Sequence, residues 1–195
     1  MADSVKYYDD HGERFVGETF DIDMSSVYQP FLELIPEGGR ILDAGCGSGR
    51  DALAFSRLGF QVEAFDASRR CAELARELTG LQIQHQRFDE INFDNEFDGI
   101  WACASLIHVH RDELDDVLAR FHRALRIRGV AYVSFKEGRE DTQKGVRSFT
   151  NFSMSGFRAW VTGLPGWTFF KAWLSEDLRP DRRAELWING LIRKA

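Results

Sequence analysis

A chain of 195 residues with 44% hydrophobic, 29% charged and 13% aromatic side chains can bury a sizeable core as one compact domain, and it is neither a disordered nor a collagen-like sequence. A formal charge of -6 repels a phosphate backbone unless the basic residues gather on one face, so nucleic acid is not the expected partner. Cys46, Cys71 and Cys103 are odd in number and widely spaced, and neither a signal-peptide start nor an apolar run of about 18 residues occurs, so a cytoplasmic protein without a membrane partner is expected.

In chain order, Met24, Val27, Tyr28, Phe31, Leu32 and Ile35 recur at helical spacing, with Pro30 expected to kink that helix. Arg40 to Ala44 reads as a short apolar strand, and residues 49–58 as a helix stopped by Gly59. Residues 61–65 form a second strand, Ser68 caps a helix over 69–78 closed by Gly80, and residues 82–88 form a third strand. A fourth strand at 98–102 precedes an amphipathic helix carrying Leu114, Val117, Leu118, Phe121 and Leu125, and a fifth strand follows at 130–135. Residues 136–151 are polar and glycine-bearing, which predicts a long surface loop. A short helix at 154–161 and a Gly-Leu-Pro-Gly turn at 163–166 lead to apolar runs at 168–174 and 185–193, read as an antiparallel pair on the sheet edge. This alternation predicts an α/β, doubly wound, mostly parallel sheet with helices on both faces.

The most informative segment is Asp43-Ala44-Gly45-Cys46-Gly47-Ser48-Gly49, placed where the first strand turns into a helix. In open α/β sheets ligands bind beyond the carboxyl ends of the strands, where glycines allow close backbone approach and the helix N-terminus presents free N–H groups. Asp66, ending the second strand, stands where a carboxylate can accept hydrogen bonds from both ribose hydroxyls. A dinucleotide fingerprint wants G-x-G-x-x-G, but Arg50 occupies the sixth position. Asp43 would repel a pyrophosphate and attract an ammonium or sulfonium group, which favours S-adenosylmethionine. No Gly-Lys-Ser/Thr follows, which argues against a nucleoside triphosphate loop.

Residues 41–49, with Val62-Glu63-Ala64-Phe65-Asp66, resemble the first two motifs of class I S-adenosylmethionine-dependent methyltransferases. Phe97-Asp98-Gly99-Ile100, His108-Val109 and His122-Arg123-Ala124-Leu125 with Gly129 extend the resemblance over residues 37 to 135, and Trp101 to Leu106 is most similar to small bacterial members of the tellurite-resistance type. The resemblance implies a Rossmann-like, seven-stranded sheet with an antiparallel C-terminal strand. It also implies one domain made of an N-terminal helical lid (1–36), a cofactor-binding core (37–135) and a substrate-side region (136–195). The cofactor residues it points to in the loop and first helix are Asp43, Ala44, Gly45, Cys46, Gly47, Gly49 and Arg50. Beyond the loop they are Asp66, Ala67 and Ser68, then Phe88 and Asp89 for adenine, with Ala102 and Cys103 beside the pocket. Two departures stand out: Arg87 or Phe88 occupies the usual adenine-binding acid position with Asp89 one place later, and Ile127-Arg128-Gly129 replaces the family's Pro-Gly-Gly turn.

In resembling proteins an N-terminal segment folds over the cofactor, which here brings in Tyr7, Tyr8 and Phe15; simple aromatic packing is the competing account. His108 follows the fourth strand, on the side where the family's acceptor sits, and is either a general base or a structural histidine. With His110 it lacks a third ligand, so no metal is expected. Cys46 and Cys103 have no activating base in sequence. Lys136, Arg139, Lys144 and Arg147 could bind an anionic substrate, but Glu137, Glu140 and Asp141 interleave with them, and a solvated loop is the expected account.

The expected function is methyl transfer from S-adenosylmethionine to a small molecule, giving S-adenosylhomocysteine. A nicotinamide-dependent oxidoreductase, or a cofactor-binding protein without turnover, stands as the alternative. Ala102-Cys103-Ala104-Ser105 occupies the place of the Asp/Asn-Pro-Pro-aromatic motif of nucleic-acid amine methyltransferases. Acceptor and oligomeric state are left open by the sequence.

Overall fold

The strand and helix periods resolve into one main sheet in a computed structural model that describes residues 2–180 and 182–195; Met1, the first residue of the expected lid, and Asp181 lie outside the described residues. Helix α1 (Ala2–Thr19), kinked at His11, and α2 (Ser25–Leu32) lead the chain. They are followed by β1 (Arg40–Ala44), α3 (Arg50–Arg57), β2 (Gln61–Asp66), α4 (Arg69–Thr79) and β3 (Ile83–His85). Next come β4 (Phe97–Ala102), α5 (Leu114–Ala124), β5 (Leu125–Lys136), a hairpin of β6 (Thr142–Lys144) and β7 (Arg147–Phe149), α6 (Met154–Gly163), β8 (Trp167–Glu176) and β9 (Leu186–Lys194).

The seven-stranded sheet has the order β3-β2-β1-β4-β5-β9-β8, parallel from β3 through β5, with β9 antiparallel to both of its neighbours. This is the expected Rossmann-like, doubly wound sheet. Because the chain fills outward from β1 in one direction and then restarts at β4 on its other side, a crevice opens at the carboxyl ends of β1 and β4. Alternate residues serve opposite faces. Leu42, Ile100, Ala131 and Val133 pack with Leu118 and Phe121 of α5 and Phe157 of α6, whereas Ile41, Trp101, Val130 and Tyr132 pack with Phe31 of α2 and Phe55 of α3. Near-continuous apolar strands are what two covered faces require.

Ser68 caps α4, its Oγ accepting from the Cys71 N–H at 3.1 Å, and Gly80 closes that helix at φ +71°. Pro30 lies inside α2, and the chain continues past Leu32 in short turns, Leu34 N–H to Phe31 O and Ile35 N–H to Leu32 O. Three expectations are corrected. The third strand stops at His85 because the Glu90 carboxylate accepts the Arg87 N–H at 2.8 Å, closing a turn that folds Phe88 inward against Phe65. The fifth strand starts at Leu125, with a bulge over residues 126–129 where Arg128 adopts φ +66°. Residues 136–151 are not a plain loop: Thr142 pairs with Phe149 and Lys144 with Arg147 around Gly145 and Val146, and Phe149 is buried.

Gly190 sits in β9 between β5 and β8, where an added Cβ would overlap the ring of Phe157. Gly190→Ala is expected to cost about 1–3 kcal/mol by overpacking. Thermal unfolding checks this, with a midpoint lowered by about 2–4 °C per kcal/mol in a chain of this size.

Candidate active site

The chain leaves β1 at Ala44 and turns through Gly45, Gly47 and Gly49, all at positive φ (+79°, +56° and +76°), before entering α3. The Gly45 and Cys46 N–H groups both donate to the Phe65 carbonyl at 2.9 Å, fastening the loop to β2. A Cβ on Gly45 would lie 2.6 Å from Ser105 Cβ, and one on Gly47 3.0 Å from the Phe15 ring. The loop therefore runs between the turn after β4 and helix α1.

Asp66 ends β2 at this loop. Its Oδ2 accepts the Gly47 N–H and its Oδ1 the Ser68 N–H, both at 2.8 Å. Burial raises its pKa, and these two N–H donors oppose the rise. Each oxygen keeps a lone pair for a further donor. Ser68 Oγ donates to Asp9 of α1 at 2.7 Å, and Asp9 also accepts the Arg70 N–H at 3.2 Å, so the N-terminal helix docks on the start of α4.

Beneath the loop lie two buried carboxylates. Asp51 accepts from Tyr28 OH (2.5 Å), Trp101 Nε1 (2.8 Å) and Arg50 Nε (2.6 Å). Burial alone would raise its pKa, but Arg50 and the hydroxyl and indole donors hold it below the ordinary carboxylate value. Asp43 is buried without such partners: burial, then the Asp51 charge, pushes its pKa well up, and its Oδ2 makes no hydrogen bond. A cationic ligand group at this loop would supply the donor that Oδ2 lacks.

A cavity of about 270 Å³ opens over the loop. Gly45, Cys46, Gly47, Arg50, Asp66, Ala67, Ser68, Phe88 and Cys103 line it, as do Tyr8 and His108. Asp43 lies behind the loop, Ala44 and Ala102 are buried strand ends, and Gly49 packs on Ala75 and Thr79 instead. Phe88 faces the cavity, whereas Asp89 is exposed and ion-paired with Arg87. The Cys103 thiol is pushed up to about 12, chiefly by burial, and that of Cys46 is raised well above its ordinary value, so neither is a ready nucleophile.

The turn after β4 is pinned by Ala104 N–H to Ser134 Oγ (2.8 Å) and Ser105 Oγ to Ala44 O (2.7 Å). His108 follows in a short 3-10 turn. Its Nδ1 stands 3.0 Å from the Ser148 carbonyl, which can only accept, so Nδ1 carries the hydrogen. Nε2 is then the acceptor for Tyr8 OH at 2.9 Å. Burial, aided by the cations Arg147 and Lys136 and opposed by the Ser148 carbonyl, lowers His108 to a pKa of about 4. It is neutral at pH 7, with its lone pair on the Tyr8 side.

Other residues join the cavity, some of them weighed only as a loop and some unmarked in the sequence. The β6–β7 hairpin brings Lys144 and Arg147 onto the cavity wall, where Lys136 joins them, while Arg139 stays outside. The reading of the whole segment as a solvated loop is thereby corrected. Asp177, Trp187 and Asn189 reach the same cavity from the C-terminal strand pair. Nothing periodic marks these positions; Asp51 alone left a trace, as an acid in the first turn of an otherwise apolar helix face.

Residues 41–129 match the family described as "Methyltransferase domain". An uncharacterized methyltransferase of Staphylococcus carnosus is 32% identical over 87 residues, 45% of this chain and 42% of the relative. A ubiquinone biosynthesis O-methyltransferase of Methylocella silvestris is 42% identical over 79 residues, 37% of this chain and 31% of the relative. The chain spans less than half the length of these curated relatives. Among solved structures, the Burkholderia thailandensis 1,6-didemethyltoxoflavin-N1-methyltransferase, bound to 1,6-didemethyltoxoflavin and S-adenosylhomocysteine, matches with TM-score 0.81 and 23% identity over 100% of this chain and 86% of its own; this likeness speaks for the fold. Residues 41–129 thus match a methyltransferase domain, and the fold is that of the class I S-adenosylmethionine-dependent methyltransferases.

Because the folded pKa of His108 lies below the unfolded value of about 6.5, the unfolded chain binds the extra proton between the two. The stability contributed by neutral His108 is present above about pH 6.5 and is lost as the pH falls towards 4. His108→Asn is expected to flatten the acid limb of the stability curve relative to wild type by up to about 1.4 kcal/mol per pH unit. Denaturant titrations at several pH values check the slope, and an NMR titration of His108 should place its midpoint well below 6.5.

Proposed function

We propose that this protein binds S-adenosylmethionine over the glycine loop and transfers its methyl group to a small-molecule acceptor in the cytoplasm, releasing S-adenosylhomocysteine. One observation carries the reading: the glycine loop, the Asp66 carboxylate and the lone pair of His108 all face one cavity at the switch point of the sheet. The residues present fit the cofactor. The unpartnered Asp43 Oδ2 suits an ammonium group, and Asp66 has lone pairs left for ribose hydroxyls. In this reading residues 1–36 form the lid, 37–135 the cofactor core and 136–195 the acceptor side of a single domain.

S-adenosylmethionine supplies a sulfonium-bound methyl group, already an electrophile. The chain's task is to hold an acceptor in line and keep water out. Tyr8 and Phe15 of α1 cover the loop, and Phe149 closes the hairpin side. His108 Nε2 takes the acceptor's proton once Tyr8 OH gives up its hydrogen bond, while the Ser148 carbonyl holds the ring in the required tautomer. A resting pKa of about 4 makes this a base for an acidic hydroxyl or N–H rather than for an aliphatic alcohol.

Asp66→Ala is expected to weaken S-adenosylmethionine binding by about 1.5–3 kcal/mol, the worth of hydrogen bonds to a charged group, and Gly47→Val to abolish it by driving a side chain between loop and lid. Calorimetry on the folded variants decides; wild-type affinity in either would remove the loop from the cofactor site. His108→Ala should lower S-adenosylhomocysteine release about a hundredfold with cofactor affinity retained. Equal turnover by both proteins would remove His108 from the mechanism, and cofactor binding with no product from any acceptor would leave a binding protein.

A further inference from the structure

The acceptor end of the cavity carries charge that proton removal does not use. Lys136, Lys144 and Arg147 line it. Lys136 is neutralised by Glu185, but among the described residues no ion pair involves Lys144 or Arg147, although acids outnumber bases 31 to 25 in the chain. The Arg147 guanidinium lies 4.0 Å over the Tyr7 ring and 5.5 Å from that of Phe149, so aromatic faces hold it in place, and the Tyr8 hydroxyl is the one acceptor they offer its N–H groups. Its Nε is buried with no hydrogen-bond partner. A buried guanidinium N–H without an acceptor is costly, and the planar fork of donors matches a carboxylate. Around it Tyr7, Tyr8, Phe149 and Trp187 line the cavity, an aromatic wall suited to a planar ring.

We infer that the methyl acceptor is a small aromatic acid whose carboxylate is held by Arg147 and Lys144 and whose ring lies among the cavity's aromatic side chains. This rests on the methyl-transfer reading above and names its substrate class. It also accounts for the weak resting base. Arg147 and Lys136 add to the burial that depresses His108, so a bound carboxylate offsets that field and returns basicity to Nε2 when an acceptor is in place.

The test uses the intact protein with S-adenosylhomocysteine bound, titrated with salicylate and with its uncharged isostere salicylamide by ligand-observed NMR and calorimetry. Salicylate should bind at least about tenfold more tightly than the amide, the minimum worth of a charge-assisted hydrogen bond. Arg147→Gln should bring the ratio near unity and Lys144→Gln should lower it severalfold, both with S-adenosylhomocysteine affinity retained. A ratio near unity in wild type, absence of binding by both probes, or a ratio that survives Arg147→Gln overturns the inference and leaves the methyl-transfer reading standing. If Arg147→Gln instead weakens S-adenosylhomocysteine, salicylate and salicylamide alike, Arg147 is a clasp on Tyr7 and the inference is overturned. Failure of wild type to bind S-adenosylhomocysteine sinks both.

Discussion

A single carboxylate at the end of β2 joins the parts of this site. Asp66 takes one N–H from the glycine loop and one from the start of α4, so the turn after β1 and the turn after β2 are set relative to each other by a rigid two-oxygen group. The tie then passes outward. Ser68, fixed by Asp66, caps its own helix and donates to Asp9, and Asp9 docks the N-terminal helix that brings Tyr8 to His108. A carboxylate can serve there because each oxygen accepts more than one hydrogen bond. The same atoms that organise the backbone are thus able to receive ligand hydroxyls.

Below the loop, charge has been buried in two different ways. Asp51 is enclosed by a guanidinium, a phenol and an indole N–H, and these compensate for the lost water. Asp43 is enclosed with one oxygen unpaired. The first arrangement is complete in the protein alone and braces α2, α3 and β4 against each other. The second leaves an acceptor open beneath the loop, and the proposed function assigns that acceptor to a ligand's ammonium group.

The His108 side of the cavity is assembled from pieces that are remote along the chain. His108 is held by Tyr8 from the first helix and by Ser148 from the hairpin, and Arg147 of that hairpin rests on Tyr7. The N-terminal helix, His108 and the hairpin therefore form one contact surface over the cavity. The N-terminal helix meets the hairpin through a cation on an aromatic ring, an interaction of modest strength.

Local sequence determined most of the framework. The strands β1, β2, β4, β8 and β9, the Ser68 and Gly80 caps, the glycine loop and Asp66 were all legible, because helix and strand periods, caps and positive-φ glycines are properties of neighbouring residues. The early end of β3, the 126–129 bulge and the 142–149 hairpin were not, since each depends on where a distant partner sits: Phe65 for Phe88, Gly99 for Val130, and the cavity wall for Phe149. The site divides in the same way. The cofactor side lies mostly in a continuous run of chain and could be read from its spacing, although the cavity-lining role of Phe88 over Asp89 could not. Tertiary structure alone decided that His108 is neutral, which nitrogen holds its proton, and that Arg147 lines a cavity instead of a solvated loop, because burial, hydrogen-bond partners and unpaired charge arise only when residues far apart in sequence are brought together.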